Sequence, residues 1–143
     1  MKKMSQQISS ASLLTRDALS TISIPEEALS KLTDTTDNFL VIFIPRSDNL
    51  KISIIPCKSS EILKILVHLT EFSPQTVKSI AEIIYDLKIS TVHTSGICFH
   101  DLECCYEAYV EIQEKKNDLK FIREKFLKIP QCKAVDLEII STQ

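Results

Sequence analysis

The sequence predicts an α+β protein, and three observations carry that expectation. Over residues 61–141, two-residue and helical apolar repeats follow one another as strand, helix, strand, strand, helix, strand. Residues 12–57 hold short β-branched runs around one helical stretch, punctuated by Pro25, Pro45 and Pro56. The 143 residues are 44% hydrophobic and 25% charged with a formal net charge of −2, an ordinary globular balance.

The chain opens with a polar tail, residues 1–11. Ser12 to Thr15 reads as a short strand, Arg16-Asp17-Ala18 as a turn, and Leu19 to Ile24 as a second strand closed by Pro25. A helix starts at Pro25, where Glu26 and Glu27 sit near its positive end. Ala28, Leu29 and Leu32 supply a short apolar stripe, and Thr33 to Asn38 is made of turn formers. Phe39 to Ile44 is a third strand, Pro45 to Asn49 a turn, and Leu50 to Ile55 a fourth strand closed by Pro56. A unit this small buries little core of its own, which implies support from a partner subunit.

The second half is more sharply patterned. Leu63, Ile65, Val67 and Leu69 share one strand face within residues 62–69, with His68 on the other. Ser73 is placed to cap a helix over 74–88 and Pro74 suits its first turn. Val77, Ile80, Ala81, Ile84 and Leu87 form its apolar stripe. Residues 89–99 and Cys104 to Ile112 alternate as two strands of a hairpin, connected through His100 to Glu103. Asn117 is a candidate cap for a helix carrying Leu119, Ile122, Phe126 and Ile129, ended by Pro130. Val135, Leu137 and Ile139 mark a last strand. This βαββαβ order is that of ferredoxin-like domains, two helices on one face of a four-stranded antiparallel sheet. The opposite sheet face is mixed, carrying Lys64, His68, Glu107, Tyr109 and Glu111, and suits contact with a second copy.

Composition narrows the chemistry. The longest uninterrupted apolar run, Phe39 to Ile44, is far short of the roughly 20 residues a membrane helix needs, so no membrane association is expected. The N-terminus has no secretory pattern, so a cytoplasmic location and reduced thiols for the five cysteines are expected. One glycine, Gly96, argues against a glycine-rich phosphate loop and the nucleotide chemistry it serves. Residues 1–57 carry six basic and six acidic groups, and the remainder eleven and thirteen, so neither half has a strong positive excess.

His93, Cys98, His100, Cys104 and Cys105, with Cys132 farther on, hold zinc-type donors. Alternation sends His93 and Cys98 to opposite faces, Cys104 and Cys105 diverge, and no CxxC knuckle exists, so no metal and no other cofactor is expected. A nucleophilic pairing of Cys98 or Cys104 with His100 lacks a residue to orient the histidine. Glu107 and Glu111 lie roughly 13 Å apart along one strand, a solvated face and not an acid–base pair. No catalytic residue is expected, and the protein is not read as an enzyme. His68 is read as a rim residue whose titration would tune a subunit contact.

Two resemblances extend this reading. Ser20-Thr21-Ile22-Ser23-Ile24-Pro25, the helix Glu26 to Leu32, Thr36-Asp37-Asn38-Phe39-Leu40-Val41 and Leu50 to Pro56 resemble the SpoVT/AbrB swapped-hairpin domains. That resemblance implies an intertwined homodimer over residues 12–57, a shared β-barrel, and DNA contact through Arg16 and the tail residues Lys2 and Lys3. Ala18-Leu19 stands where the family commonly has Gly-Arg, and Asp37-Asn38 where it has Gly-Asp. Residues 61–141 resemble an ACT-like regulatory domain through the strand Ile62 to Leu69, the break Thr70 to Pro74 and the helix Val77 to Leu87. It implies a small effector, such as an amino acid, held at a subunit interface by Glu71, Phe72, Ser73, Pro74 and Gln75 with Thr91 and His93. The family's Pro-Gly step is Ser73-Pro74 here. The expected protein is a dimeric or larger homo-oligomeric transcription regulator with a sensing domain. A non-catalytic assembly module that binds a protein partner and no DNA is the alternative.

Overall fold

The computed structural model describes residues 9–32, 36–98, 103–111 and 118–143, and the chain divides into two compact units, Met1–Thr33 and Asp34–Gln143. The division falls ahead of residues 38–57, which build onto the second unit.

In the first unit, Arg16–Leu19 forms one helical turn, α1, and Glu26–Leu29 another, α2. The strands expected at 12–15 and 19–24 are not formed. Polar–apolar alternation in Leu19 to Ile24 has the look of a strand, but the hydroxyls bond locally. Ser20 Oγ donates to the Asp17 carbonyl at 3.2 Å and Thr21 Oγ1 to that of Ala18 at 3.3 Å, which favours a helical turn. Neither helix buries a residue, so the stripe expected at Ala28 and Leu29 covers no core.

The second unit has a two-stranded and a four-stranded sheet. The first is a hairpin of β1 (Asn38–Pro45) and β2 (Leu50–Cys57), closed by Arg46 N–H donating to the Asn49 carbonyl at 2.8 Å. The second contains β3 (Glu61–Leu69), β4 (Ser90–Cys98), β5 (Cys104–Glu111) and β6 (Cys132–Ser141) in the order β4-β5-β3-β6, with every neighbouring pair antiparallel. With α3 (Pro74–Asp86) and α4 (Leu119–Leu127), this is the ferredoxin-like arrangement.

The core forms where the apolar strand faces meet the helices. Leu63, Ile65, Val67, Ala108 and Val110 are fully buried with Ile80 of α3 and Ile122 and Phe126 of α4. Ser73 caps α3, its Oγ accepting the Thr76 N–H at 3.2 Å, with Pro74 at the first helical position. At the other end Lys88 takes φ 53°, while Ile89 N–H donates to the Ile84 carbonyl and Lys88 N–H to that of Tyr85. That is a Schellman stop with lysine in the position glycine usually fills. Asp118 caps α4 by accepting the Lys120 N–H at 3.1 Å, one residue after the expected Asn117, which lies outside the described residues along with His100.

The hairpin covers part of the outer sheet face. Leu40 and Ile42, with Ile44 and Ile55, pack against Ile62, Tyr109, Val92 and Ile140. The hairpin therefore finds a core in its own chain, where the sequence implied dependence on a second one. Glu111, expected on a solvated face, is buried and accepts the Lys58 N–H at 2.7 Å and the Ser59 N–H at 3.3 Å. It ties the β2–β3 turn to the end of β5.

Candidate functional site

The effector stretch is partly structural. Ser73 is committed to its cap and to the buried Thr76 hydroxyl at 2.9 Å, while Glu71, Pro74 and Gln75 are exposed. Phe72 lies half-buried beside Tyr106, ring centroids 6.4 Å apart. Gly96 makes room for that ring: a Cβ there would stand 2.7 Å from Phe72 Cζ. Thr91 pairs with Val110 of the helix-side core, but His93 pairs with Tyr109 and packs edge-on to it at 6.3 Å. His93 therefore lies on the sheet face opposite Phe72. A bulge between Thr91 and His93 shifts the register at this point. The structure brings Glu71 to Gln75 together as one turn and separates both Thr91 and His93 from it: Thr91 lies level with Val110 and Leu63, whereas the turn follows Leu69 at the other end of β3. Arg16 is exposed in α1, and Lys2 and Lys3 lie outside the described residues.

The hairpin offers a different kind of surface. Its register sets Phe39 opposite Pro56, Val41 opposite Ile54, Phe43 opposite Ile52 and Pro45 opposite Leu50. All eight side chains share the face turned away from the sheet, with Phe43 62% and Leu50 56% exposed. Exposed apolar side chains grouped on one face are the kind of surface that protein–protein contacts use.

The open part of the outer sheet face carries polar side chains in contact. Lys64 Nζ stands 3.5 Å from Glu107 and 5.6 Å from the Tyr109 ring centre. Burial works to lower the Lys64 ammonium's pKa, but Glu107 and Tyr109 outweigh it and the net shift is upward. Farther along, His68 Nε2 meets Asp136 Oδ2 at 2.9 Å and His68 Nδ1 stands 3.6 Å from Cys105 Sγ. Burial raises the Cys105 thiol, and Glu103 and Glu107 add to the rise. A cleft of about 290 Å³ opens here, lined in part by His68, Glu103, Cys105 and Lys133.

The expectation of five reduced thiols is corrected by a bridge between Cys98 and Cys104. Strand register sets these two directly opposite one another, with Cα atoms 4.0 Å apart. Cys57, Cys105 and Cys132 are free. Among the described residues no three or more metal-binding side chains converge on one point, and no helix is long and apolar enough to cross a membrane. His68 and Cys105 are 37 positions apart, and only the β3–β5 register shows that they meet.

No known protein-family model matches the chain, and no curated protein matches it. Among solved structures, one described as a glycine cleavage system transcriptional repressor matches 66% of this chain at 9% identity with a TM-score of 0.45. This chain's match spans 57% of that structure's length. A likeness of that degree says nothing of what this chain binds.

Proposed function

We propose that this protein is a non-enzymatic regulator that works as a homodimer, with the ferredoxin-like unit as its sensing part. The observation that carries the reading is the hairpin with two apolar faces. One face is spent on the chain's own sheet, and the other presents Phe39, Val41, Phe43, Ile52 and Leu50. An antiparallel ribbon turned by a two-fold axis offers the same apolar set to itself, so a second copy is the fitting occupant. An effector would be taken at the Glu71–Gln75 turn, and would act by binding one dimer arrangement better than another.

Output to DNA is the form that the SpoVT/AbrB resemblance favours, through Arg16, Lys2 and Lys3. A protein partner is the second reading, favoured by charge: residues 1–57 hold six basic and six acidic groups. Phosphate binding draws on a positive excess that this segment lacks. Low-salt gel shifts on genomic fragments separate the two. Retardation that weakens steeply with added salt supports the DNA reading. No retardation, with one stoichiometric protein retained in a pull-down, supports the second.

A further inference from the structure

We propose that Cys105, with His68 as its base and Asp136 as the residue that positions His68, is a thiol-exchange site for a small disulfide of the amino-acid type. The three side chains come from three strands that meet on the open part of the outer sheet face: β5, β3 and β6. An imidazole that gives its Nε2–H to the Asp136 carboxylate presents the Nδ1 lone pair to the Cys105 thiol. Among the described residues, the other two free thiols have no such neighbour. Cys57 Sγ donates to the Ile55 carbonyl and Cys132 Sγ to that of Ala134.

A half-buried, acid-flanked thiol whose pKa is raised stays protonated near neutral pH, so it needs a base to become the nucleophile. His68 fills that role. The charged groups facing the pair are Lys64 of β3, Glu103 and Glu107 on the β5 side, and Lys133 and Asp136 of β6; opposite Cys105, β4 presents the uncharged Ile97. Lys133 and Glu103, on the rim of the same cleft, suit the carboxylate and ammonium of a zwitterionic ligand. Acyl transfer fits the site less well, because the N–H groups of the central strands β3 and β5 are engaged in the sheet ladders and offer no oxyanion hole.

The exchange balances without another oxidant. Cys105 gives its proton to His68 as its sulfur attacks one sulfur of the small disulfide. The ligand's S–S bond breaks, a mixed disulfide forms on Cys105, and the departing thiolate takes the proton from His68. One thiol is oxidised to a mixed disulfide and one sulfur of the ligand is reduced to a thiol.

The test is incubation of the full-length protein with oxidised glutathione, followed by intact-mass measurement and peptide mapping. One glutathionyl group on Cys105, with Cys57 and Cys132 unmodified, is the expected result. His68→Gln should slow the reaction about tenfold or more and move its pH profile toward alkaline values, where the thiol ionises unaided. Asp136→Asn should slow it less. Adducts spread over Cys57 and Cys132, no adduct on Cys105, or a His68→Gln protein that reacts at the unaltered rate with the unaltered pH profile would overturn the proposal. Mapping the unmutated protein locates the adduct whether or not a variant folds.

Discussion

Glu111 Oε1 accepts the backbone N–H of Lys58 at 2.7 Å, across 53 positions of sequence. A carboxylate at the end of β5 thus fixes the turn where the hairpin joins the sheet. The contact is charge-assisted and sheltered, which makes it stronger than an ordinary hydrogen bond.

Removing that carboxylate leaves two N–H donors, those of Lys58 and Ser59, without their acceptor. Glu111→Ala should cost about 2–3 kcal/mol, and Glu111→Gln, which keeps an acceptor oxygen, about 1 kcal/mol. Urea denaturation measures both. Equal midpoints for Glu111→Ala and the unmutated protein would contradict the assignment.

Lys88 carries the left-handed stop after α3. A side chain there pays a steric penalty that glycine avoids, so Lys88→Gly should stabilise by about 0.5–1 kcal/mol. Lys88→Ala should bring no gain, because alanine keeps the Cβ. Thermal unfolding of the two variants side by side checks this.

Gly96 lets the Phe72 ring lie against β4, since a Cβ would stand 2.7 Å from Cζ and 3.0 Å from Cε2. The ring's far end has to shift, so Gly96→Ala should cost about 1–2 kcal/mol. Phe72→Leu shortens the side chain and should recover part of that loss. A double-mutant cycle with no coupling between the two positions would refute the contact.

Among the described residues, every resolved ionisation shift runs upward. Burial leads for Cys57, Cys105, Cys132, Tyr106 and Tyr109; for Lys64 burial opposes the rise, and Glu107 and Tyr109 overcome it. A raised folded-state pKa means the folded chain keeps its proton after the unfolded chain has lost it. This stabilisation is complete below the unfolded groups' titration range and fades as pH rises through the folded values. Stability under reducing conditions should therefore fall from about pH 8.5 upward, where ordinary thiols begin to ionise, with a shallower fall in Cys57→Ala. Constant urea midpoints up to about pH 10.5 would contradict it.

Much of the second unit is legible in the sequence because its elements bury one face each. Leu63 to Leu69 alternates over a helix-covered sheet, Ile80 and Phe126 keep helical spacing, and Ser73-Pro74 announces a helix start. Leu40 and Phe43 show where that legibility ends. Both faces of β1 and most of β2 are apolar, so no alternation tells which side lies on the sheet. Residues 19–24 mislead for a different reason, since Ser20 and Thr21 bond back to the preceding turn and no ladder forms. His68 and Cys105 each read as ordinary strand residues. Their meeting depends on long-range register, which a single sequence does not display.

The hairpin's exposed face is the centre of the account, and sedimentation equilibrium of the full-length protein at micromolar concentration tests it most directly. The unmutated chain should sediment as a dimer. Phe43→Asp combined with Ile52→Lys, which charges the exposed face and leaves Leu40 and Ile42 in place, should yield a folded monomer. A monomer for the unmutated chain throughout the micromolar range, or a dimer unaffected by the paired charges, would contradict it.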